Sequence, residues 1–221
     1  MLPPLAPLVL YRDRHIVALN KPAGILVHPV AADSLSLADG LAALADDNHN
    51  IPFPMHRLDR ETSGCLLLGY TPPTRQRFEQ FFRHHQIEKT YWAVVQGLPP
   101  EASGVIDLPL LKHQPSRRMV VDPAGSQAVT AYKVLGSGQG LSWLELSPRT
   151  GRTHQLRAHC RAMGCPIVGD TLYHDEPVNG PMQLHAHQLA FTHITGEMLT
   201  ITAPPALHMA ERLAGFSCPT V

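Results

Sequence analysis

The chain has 221 residues, of which 44% are apolar and 16% charged, and this composition is typical of a globular protein with one large domain or two subdomains. Its apolar first ten residues include three prolines and no basic leader, and no later segment approaches the length of a membrane span, so we expect neither a signal peptide nor a membrane partner. The net charge is zero, yet fourteen Lys or Arg against eight Asp or Glu lie between Arg57 and Arg161, so a nucleic-acid partner is not excluded.

Short strands separated by turns are predicted along the whole chain. Twenty-one prolines and sixteen glycines favour short elements over long helices. The predicted strands are 8–11, 15–20, 65–69, 91–95, 129–135, 141–146, 184–195 and 197–202. The last four form two predicted hairpins, which turn at the glycine-rich segment 136–140 and at Gly196.

Three helices are predicted between these strands. Ser34 is placed to cap the first helix, and Thr74 is placed to cap the second. In the second helix, the phenylalanines at 78, 81 and 82 have the spacing of a buried helix face. The third covers 150–164 and ends at Gly164, two residues before Pro166.

These elements predict an α+β fold. We expect a central, mostly antiparallel mixed sheet flanked by helices, in two halves. The proline-rich segment 99–104 marks a predicted subdomain boundary within a single domain, 1–221.

The most informative segment is 55–64, which places Asp59 between Arg57 and Arg60. Nearby cations favour the ionised form of an acid. An ionised carboxylate held in this way suits a nucleophile or a base, and equally one half of a structural ion pair. The segment by itself leaves both interpretations open.

A second basic cluster occupies the third predicted helix. Arg157 and Arg161 lie one turn apart on a common side of that helix. Two guanidinium groups in this arrangement can grip phosphates, or one of them can pair with a buried carboxylate such as Asp59. A plain solvated basic face is the alternative.

Other chemistries have weaker support. His185 and His187 share a strand face, but no further ligand at suitable spacing accompanies them, so no metal is expected. Ser63 lacks the surroundings of a nucleophile elbow. Glycoside hydrolysis generally needs two carboxylates, and the proximity of Glu61 to Asp59 in sequence does not establish a facing pair. Four cysteines without a CxxC pair favour a reduced, cytoplasmic chain.

Several motifs, in order along nearly the whole chain, resemble those of the RluA-type pseudouridine synthases. Segment 56–64 resembles the HRLDxxTSG motif of the family, and segment 20–29 resembles its NKPxGxxVHP segment. Segment 88–91 resembles the K-x-Y segment, and segment 151–159 resembles the GRTHQLRxH helix. Further matches lie at 164–170 and 184–186. The resemblance implies that 1–221 form one pseudouridine synthase catalytic domain, with an active-site cleft between its two halves. It also implies isomerisation of uridine to pseudouridine in rRNA, tRNA or both, with no metal or organic cofactor.

The resemblance also implies roles for individual residues. Asp59 matches the essential aspartate, the nucleophile or base that breaks the bond between ribose and base. Tyr91 matches the tyrosine that packs on the target base and is implicated in a later proton removal. Arg157 matches the basic residue that pairs with the aspartate, and Leu156 the apolar residue beside it.

Further residues are predicted to bind RNA. Arg57 matches the arginine that takes the space of the flipped nucleotide, since a stacked uridine hides its glycosidic carbon. His56 and Arg152, within the same motifs, are also predicted to bind RNA or the base. Because the chain begins almost at the first catalytic-domain strand, we expect a short member without a separate amino-terminal RNA-binding domain. We also expect a cytoplasmic monomer without a DNA partner.

Two rival functions remain at this point. One is an RNA-binding or RNA-chaperone module that kept the fold and lost catalysis, against which the presence of the matching Asp, Tyr and Arg residues argues. The other is a cofactor-free glycosidase or nucleosidase, which would release free uracil.

Overall fold

The computed structural model describes residues 2–31, 34–116, 118–174 and 178–216, which divide into two compact units. The first unit comprises Met1–Lys89 and Ala186–Pro205, and the second Thr90–His185 and Ala206–Val221. The described part contains strands β1 (Val9–Arg12), β2 (Ile16–Lys21), β3 (Phe53–Pro54), β4 (Ser63–Gly69), β5 (Ile87–Gln96), β6 (Ser103–Asp107), β7 (Leu110–Lys112), β8 (Met119–Val121), β9 (Val129–Gly138), β10 (Leu141–Pro148), β11 (Leu184–Thr192) and β12 (Met198–Thr202). Its α-helices are α1 (Pro72–Arg83), α2 (Gln155–Ala162) and α3 (Leu207–Leu213). The predicted α+β class with antiparallel strands is confirmed.

In the first unit, β2 and β4 form the centre of the sheet. They pair in antiparallel register from Ile16 opposite Gly69 to Lys21 opposite Gly64, with β1 beyond β2 and β11 beyond β4. Alternate residues of β2 and β4 pack against Phe78 of α1, as the helical spacing predicted. Gly64 is required here, because its φ is +108° and a Cβ would lie 2.2 Å from the carbonyl oxygen of Ala186.

Two predicted helix starts in this unit are wrong. The segment after Ser34 forms two short 3₁₀ helices, Leu37–Asp39 and Leu41–Leu44, and Ser36 supplies the cap of the first. Gly40 separates the two 3₁₀ helices. A Cβ at this position would lie 2.6 Å from a Leu2 methyl carbon, so the chain is closely packed here, and this packing favours two tight turns over one α-helix. Helix α1 is capped by Thr71 instead of Thr74, since Pro72 is favoured at the first helical position.

In the second unit, the strand order is β5, β10, β9, β6, with all neighbours antiparallel. The predicted hairpin of β9 and β10 is present and turns at Gln139 and Gly140. One face of these strands packs with Leu156 and Cys160 of α2 in a shared core. Strands β7 and β8 form a separate two-stranded hairpin.

Helix α2 begins five residues later than the pattern predicted. The Gln155 side chain accepts hydrogen bonds from the Thr150 hydroxyl, at 2.7 Å, and from the Arg152 amide, at 3.0 Å, which holds 150–154 in a loop. The same side chain donates to the Val129 carbonyl and the Thr130 hydroxyl, which fastens the start of α2 to β9. The helix ends before Gly164, whose φ is +80°.

Segment 99–104 lies inside the second unit, since Ser103 and Gly104 already pair with β9. The change between units occurs at Lys89 and Thr90, within the continuous strand β5, where composition carries no signal. Helix α3 and strands β3, β6, β7 and β8 were not predicted, because each is short or lacks clear alternation. Among the described residues, no helix is long and apolar enough to cross a membrane.

Candidate active site

The loop that carries Asp59 is fastened to the end of β2 through its backbone. The Arg60 carbonyl accepts hydrogen bonds from the Gly24 amide, at 2.8 Å, and from Nζ of Lys21, at 3.1 Å. The Thr62 amide donates to the Asp59 carbonyl at 3.1 Å and closes a tight turn. Asp59 therefore lies in a turn whose position is set by the segment 20–24.

Lys21 is fully buried at the centre of this arrangement. Its ammonium also donates to the carbonyls of Pro22 and Ile25, each at 2.8 Å, so its three donor positions have backbone acceptors. Burial lowers the pKa of Lys21 to about 8, against the opposing effect of Glu61 and then Asp59. Lys21 is mostly protonated at pH 7 and places a desolvated positive charge beside the Asp59 loop.

The two arginines that flank Asp59 in sequence have different surroundings. Arg60 forms a surface ion pair with Glu61, with Nε and Oε1 3.0 Å apart and side chains 63% and 44% exposed. Such exposed pairs contribute little to stability. Arg57 is exposed, and Asp59 is half-buried. Arg60 therefore forms its surface ion pair with Glu61.

His56 packs beneath the same loop as a neutral ring. Its Nε2 accepts a hydrogen bond from the Leu67 amide at 2.9 Å, and its ring lies against Phe82, with centroids 4.6 Å apart. The pKa of His56 is lowered to about 3, mainly by burial and then by the positive charge of Lys89, while a backbone hydrogen bond at Arg57 opposes both. A nitrogen that accepts a backbone amide must stay unprotonated. The role of His56 in RNA binding remains a prediction.

We expect His56 to make the protein less stable as pH falls. Its pKa is 6.5 in the unfolded chain and about 3 in the fold, so between these values the unfolded state binds the extra proton. The free energy of unfolding attributable to His56 should fall by about 1.4 kcal/mol per pH unit between pH 6 and pH 4. Urea denaturation at three pH values measures this fall.

The control for this measurement is His56→Gln, whose amide oxygen can accept the Leu67 amide and does not titrate. The difference in unfolding free energy between wild type and His56→Gln should shrink as pH falls, because the carboxylates that titrate in the same range are common to both proteins. A difference that is constant from pH 6 to pH 4 would contradict a half-buried His56 ring that stays neutral in the fold.

In the second unit, Arg157 forms a buried, bidentate ion pair with Asp170. Its Nε lies 2.7 Å from Oδ2 of Asp170 and its Nη2 lies 2.8 Å from Oδ1. The side chains are 9% and 0% exposed. The amides of Leu172 and Tyr173 also donate to Oδ1, so the carboxylate is held from several directions. This geometry fixes the plane and direction of the Arg157 guanidinium.

Tyr173 extends this arrangement. The guanidinium carbon of Arg157 lies 5.1 Å from the centroid of the Tyr173 ring, in a cation–π contact. The Tyr173 hydroxyl accepts a hydrogen bond from the Met119 amide at 2.7 Å and lies 3.1 Å from Nδ1 of His154. One tyrosine therefore links the β7–β8 hairpin, the start of α2 and the Arg157–Asp170 pair.

The other predicted site residues of the second unit lie on helix α2 or close to it. Tyr91, on β5, is half-buried and packs against the core cluster that contains Leu156. Arg152 is exposed just before α2, and its Nε donates to the Gln127 carbonyl at 2.9 Å. Asp59 belongs to the first unit and Arg157 to the second, and their predicted pairing remains a prediction.

Sequence reasoning assigned no role to Lys21, Asp170 or Tyr173. A signal was present for the first two, since Lys21 ends an apolar strand and Asp170 follows an apolar run that ends in glycine. A charged residue beside buried strand positions needs a partner inside the protein. No sequence pattern marked Tyr173, because its contacts come from three distant segments.

Comparison with known proteins decides the family. The family model described as RNA pseudouridylate synthase matches residues 15–162, about two thirds of the chain. The chain belongs to the RNA pseudouridylate synthase family. It is therefore an isomerase that acts on RNA, as the motifs predicted. Asp59, Tyr91 and Arg157 all lie within the matched region.

Individual relatives match over most of their length. The chain is 42% identical to an uncharacterized RNA pseudouridine synthase of Zymomonas mobilis, over 92% of this chain and 95% of that protein. It is 38% identical to the dual-specificity RNA pseudouridine synthase RluA of Yersinia pestis, over 84% and 92%. It is 37% identical to tRNA pseudouridine synthase C of Haemophilus ducreyi, over 88% and 89%.

Solved structures give the same result. Human RNA pseudouridylate synthase domain containing 4 superposes with a TM-score of 0.84 at 28% identity, covering 98% of this chain and 96% of that one. The structural similarity and the sequence similarity therefore point to the same family.

Proposed function

We propose that this protein binds structured rRNA, tRNA or both in the cytoplasm and, as a monomer, isomerises specific uridines to pseudouridine, with Asp59 as the essential nucleophile or base. The observation that carries this proposal is the Asp59 turn, which the buried Lys21 and the Gly24 amide hold through the Arg60 carbonyl. Because its backbone is held by these hydrogen bonds, the turn keeps Asp59 in one position for the reaction.

The reaction conserves every atom of the uridine. The bond between C1′ of the ribose and N1 of uracil breaks, the uracil turns, a bond forms between C1′ and C5, and C5 then loses its proton while N1 gains one. No water is consumed and no group leaves, so a second carboxylate to activate water is not required. A single acid in a fixed position, with Tyr91 beside the base for the later proton removal, suits this chemistry.

The substrate uridine must leave its stack before Asp59 can reach it. Arg57 is exposed on the same loop, two residues before Asp59, and carries a planar guanidinium that stacks well on bases. It would occupy the space of the flipped nucleotide and offset part of the unstacking cost.

The choice of rRNA and tRNA as substrates rests on the relatives. One relative is named a dual-specificity RNA pseudouridine synthase, a second a tRNA pseudouridine synthase and a third, from Vibrio vulnificus, a ribosomal large subunit pseudouridine synthase. The chain aligns over more than two thirds of each. Structured RNA of either kind presents single-stranded loops whose bases can be flipped.

The proposed function predicts new pseudouridine and no free uracil. Purified protein is incubated with total RNA from cells that lack its gene, and pseudouridines are then mapped and free bases quantified by mass spectrometry. We expect pseudouridine at a small number of positions that are unmodified in the deletion strain and modified in the parent strain. Free uracil as the product would favour a nucleosidase, and bound but unchanged RNA would favour a silent binding module.

A further inference from the structure

Asp170 and Tyr173 contact the Arg157 guanidinium from two directions. The Asp170 carboxylate lies along one edge, where it accepts hydrogen bonds from Nε at 2.7 Å and from Nη2 at 2.8 Å. The Tyr173 ring lies against one face, with its centroid 5.1 Å from the guanidinium carbon. The Tyr173 amide also donates to Oδ1 of Asp170 at 3.2 Å, so a single turn of the chain supplies the edge contact and the face contact.

The two contacts restrain different motions of the guanidinium. The hydrogen bonds to Asp170 define its plane and direction, but they leave tilts of about 30° out of that plane possible, because a hydrogen bond weakens steeply only below an angle of about 120°. The Tyr173 ring opposes this tilt, since a cation is attracted to the face of an aromatic ring. Arg157 and Tyr173 are 7% and 4% exposed, so little water competes for either contact.

The Tyr173 ring is held in place at its far end. Its hydroxyl accepts a hydrogen bond from the Met119 amide at 2.7 Å and lies 3.1 Å from Nδ1 of His154. The His154 and Tyr173 rings meet edge to face, with centroids 5.7 Å apart. His154 has a φ of +51°, a conformation that is unfavourable for a residue with a Cβ and persists where surrounding contacts hold it. Contacts from two other segments therefore fix the ring that faces Arg157.

We propose that Tyr173 is a positioning residue, whose ring holds the Arg157 guanidinium in the orientation that pseudouridine formation requires. This role rests on the proposed function and on the predicted participation of Arg157 in that reaction. Tyr173 acts through Arg157 and does not itself touch the uridine. Loss of the ring should slow the chemical step, because a displacement of about 1 Å in a reacting group can cost about 10²-fold in rate. RNA binding should be unchanged.

The test compares Tyr173→Phe, which keeps the ring, with Tyr173→Leu and Tyr173→Met, which remove it. Two variants without a ring are used, so the comparison survives if one of them does not fold. Single-turnover rate and Kd are measured separately on an RNA transcript that contains a uridine mapped in the experiment above. The two variants without a ring should be about 10- to 100-fold slower than wild type, with Kd changed by less than about twofold. Tyr173→Phe should stay within about threefold of the wild-type rate.

A double-mutant cycle shows whether the effect passes through Arg157. Arg157→Lys keeps a positive charge opposite Asp170 but removes the planar guanidinium. In this background, loss of the Tyr173 ring should change the rate by less than about threefold. A full loss in the Arg157→Lys background would overturn the proposal, and so would equal losses in Tyr173→Phe and Tyr173→Leu or a wild-type rate in Tyr173→Leu.

The matched control is Tyr70→Leu. Tyr70 is 2% exposed, its hydroxyl donates to the Leu44 carbonyl at 3.2 Å, and its ring lies 5.6 Å from the guanidinium carbon of Arg12. The substitution therefore removes a buried tyrosine with the same kinds of contact outside the proposed site, and its rate should equal that of wild type. A loss in Tyr70→Leu as large as that in Tyr173→Leu would overturn the positioning role.

The orientation of Arg157 can also be measured without activity. In isotope-labelled wild type and Tyr173→Phe, the NMR order parameter of the Arg157 Nε–H bond should be about 0.85, and without the ring it should fall below about 0.6. An order parameter that is the same with and without the ring would overturn the proposal. If wild type forms no pseudouridine, the proposed function fails, and this measurement still decides whether Tyr173 orients the guanidinium.

Discussion

Asp59→Asn is expected to abolish pseudouridine formation, with a loss of at least about 10³-fold in single-turnover rate. An amide is a poor nucleophile and a poor base, so it replaces the carboxylate in shape only. Hydrogen bonds to the backbone carbonyls of Asp59 and Arg60 fasten the loop, and the substitution leaves these carbonyls in place. The variant should therefore fold and bind RNA like wild type.

The matched control is Glu61→Gln, two residues away in the same turn. Glu61 pairs with Arg60 at the surface, where removal of the charge has little effect on stability. Its activity should remain close to that of wild type. Turnover by Asp59→Asn at the wild-type rate would refute the proposed mechanism, and an equally inactive Glu61→Gln would point to a reaction with two carboxylates.

The second large effect concerns Asp170. Asp170→Asn should lower the free energy of unfolding by about 3–5 kcal/mol, because it removes the carboxylate charge that pairs with the buried Arg157 guanidinium. The substitution keeps the size of the side chain, so it creates no cavity that would complicate the result. Urea denaturation at pH 7 measures the loss.

Glu79→Gln provides a matched control for this prediction. The Arg75–Glu79 pair has the same 2.7 Å separation as Arg157–Asp170 but lies on the surface of α1, with side chains 55% and 41% exposed. Its loss should change the unfolding free energy by about 0.5 kcal/mol or less. A loss below about 1 kcal/mol in Asp170→Asn would show that Arg157 is not desolvated in the fold.

Much of the fold was predictable because its signals are local. The hairpins of β9 with β10 and β11 with β12 follow from alternating apolar residues around glycine turns, and α1 from the spacing of its phenylalanines. The errors arose where a distant contact outweighs local preference. Gly40, packed against Leu2, divides the first predicted helix, and the Gln155 side chain delays the start of α2.

The candidate site likewise has features that the sequence predicted and features that depend on contacts between distant segments. The ordered motifs around Asp59, Tyr91 and Arg157 identified the family and the reaction from sequence, because those residue types in that order are highly specific. The partners of the charged residues were decided by tertiary structure. Arg60 pairs with Glu61, Arg157 with Asp170, and the buried Lys21 with the backbone of the Asp59 loop.

The position of Asp59 between two arginines in a family motif, and with it the reaction that the protein performs, could be inferred without a structure. The backbone contacts of the Asp59 loop and the ion-pair partners of Arg60 and Arg157 became known from the tertiary structure alone. The physical reason is that a buried charge needs a partner close in space, and chain folding brings together partners that are far apart in sequence. Lys21 reaches the Asp59 loop across 39 residues, and Arg157 reaches Asp170 across 13.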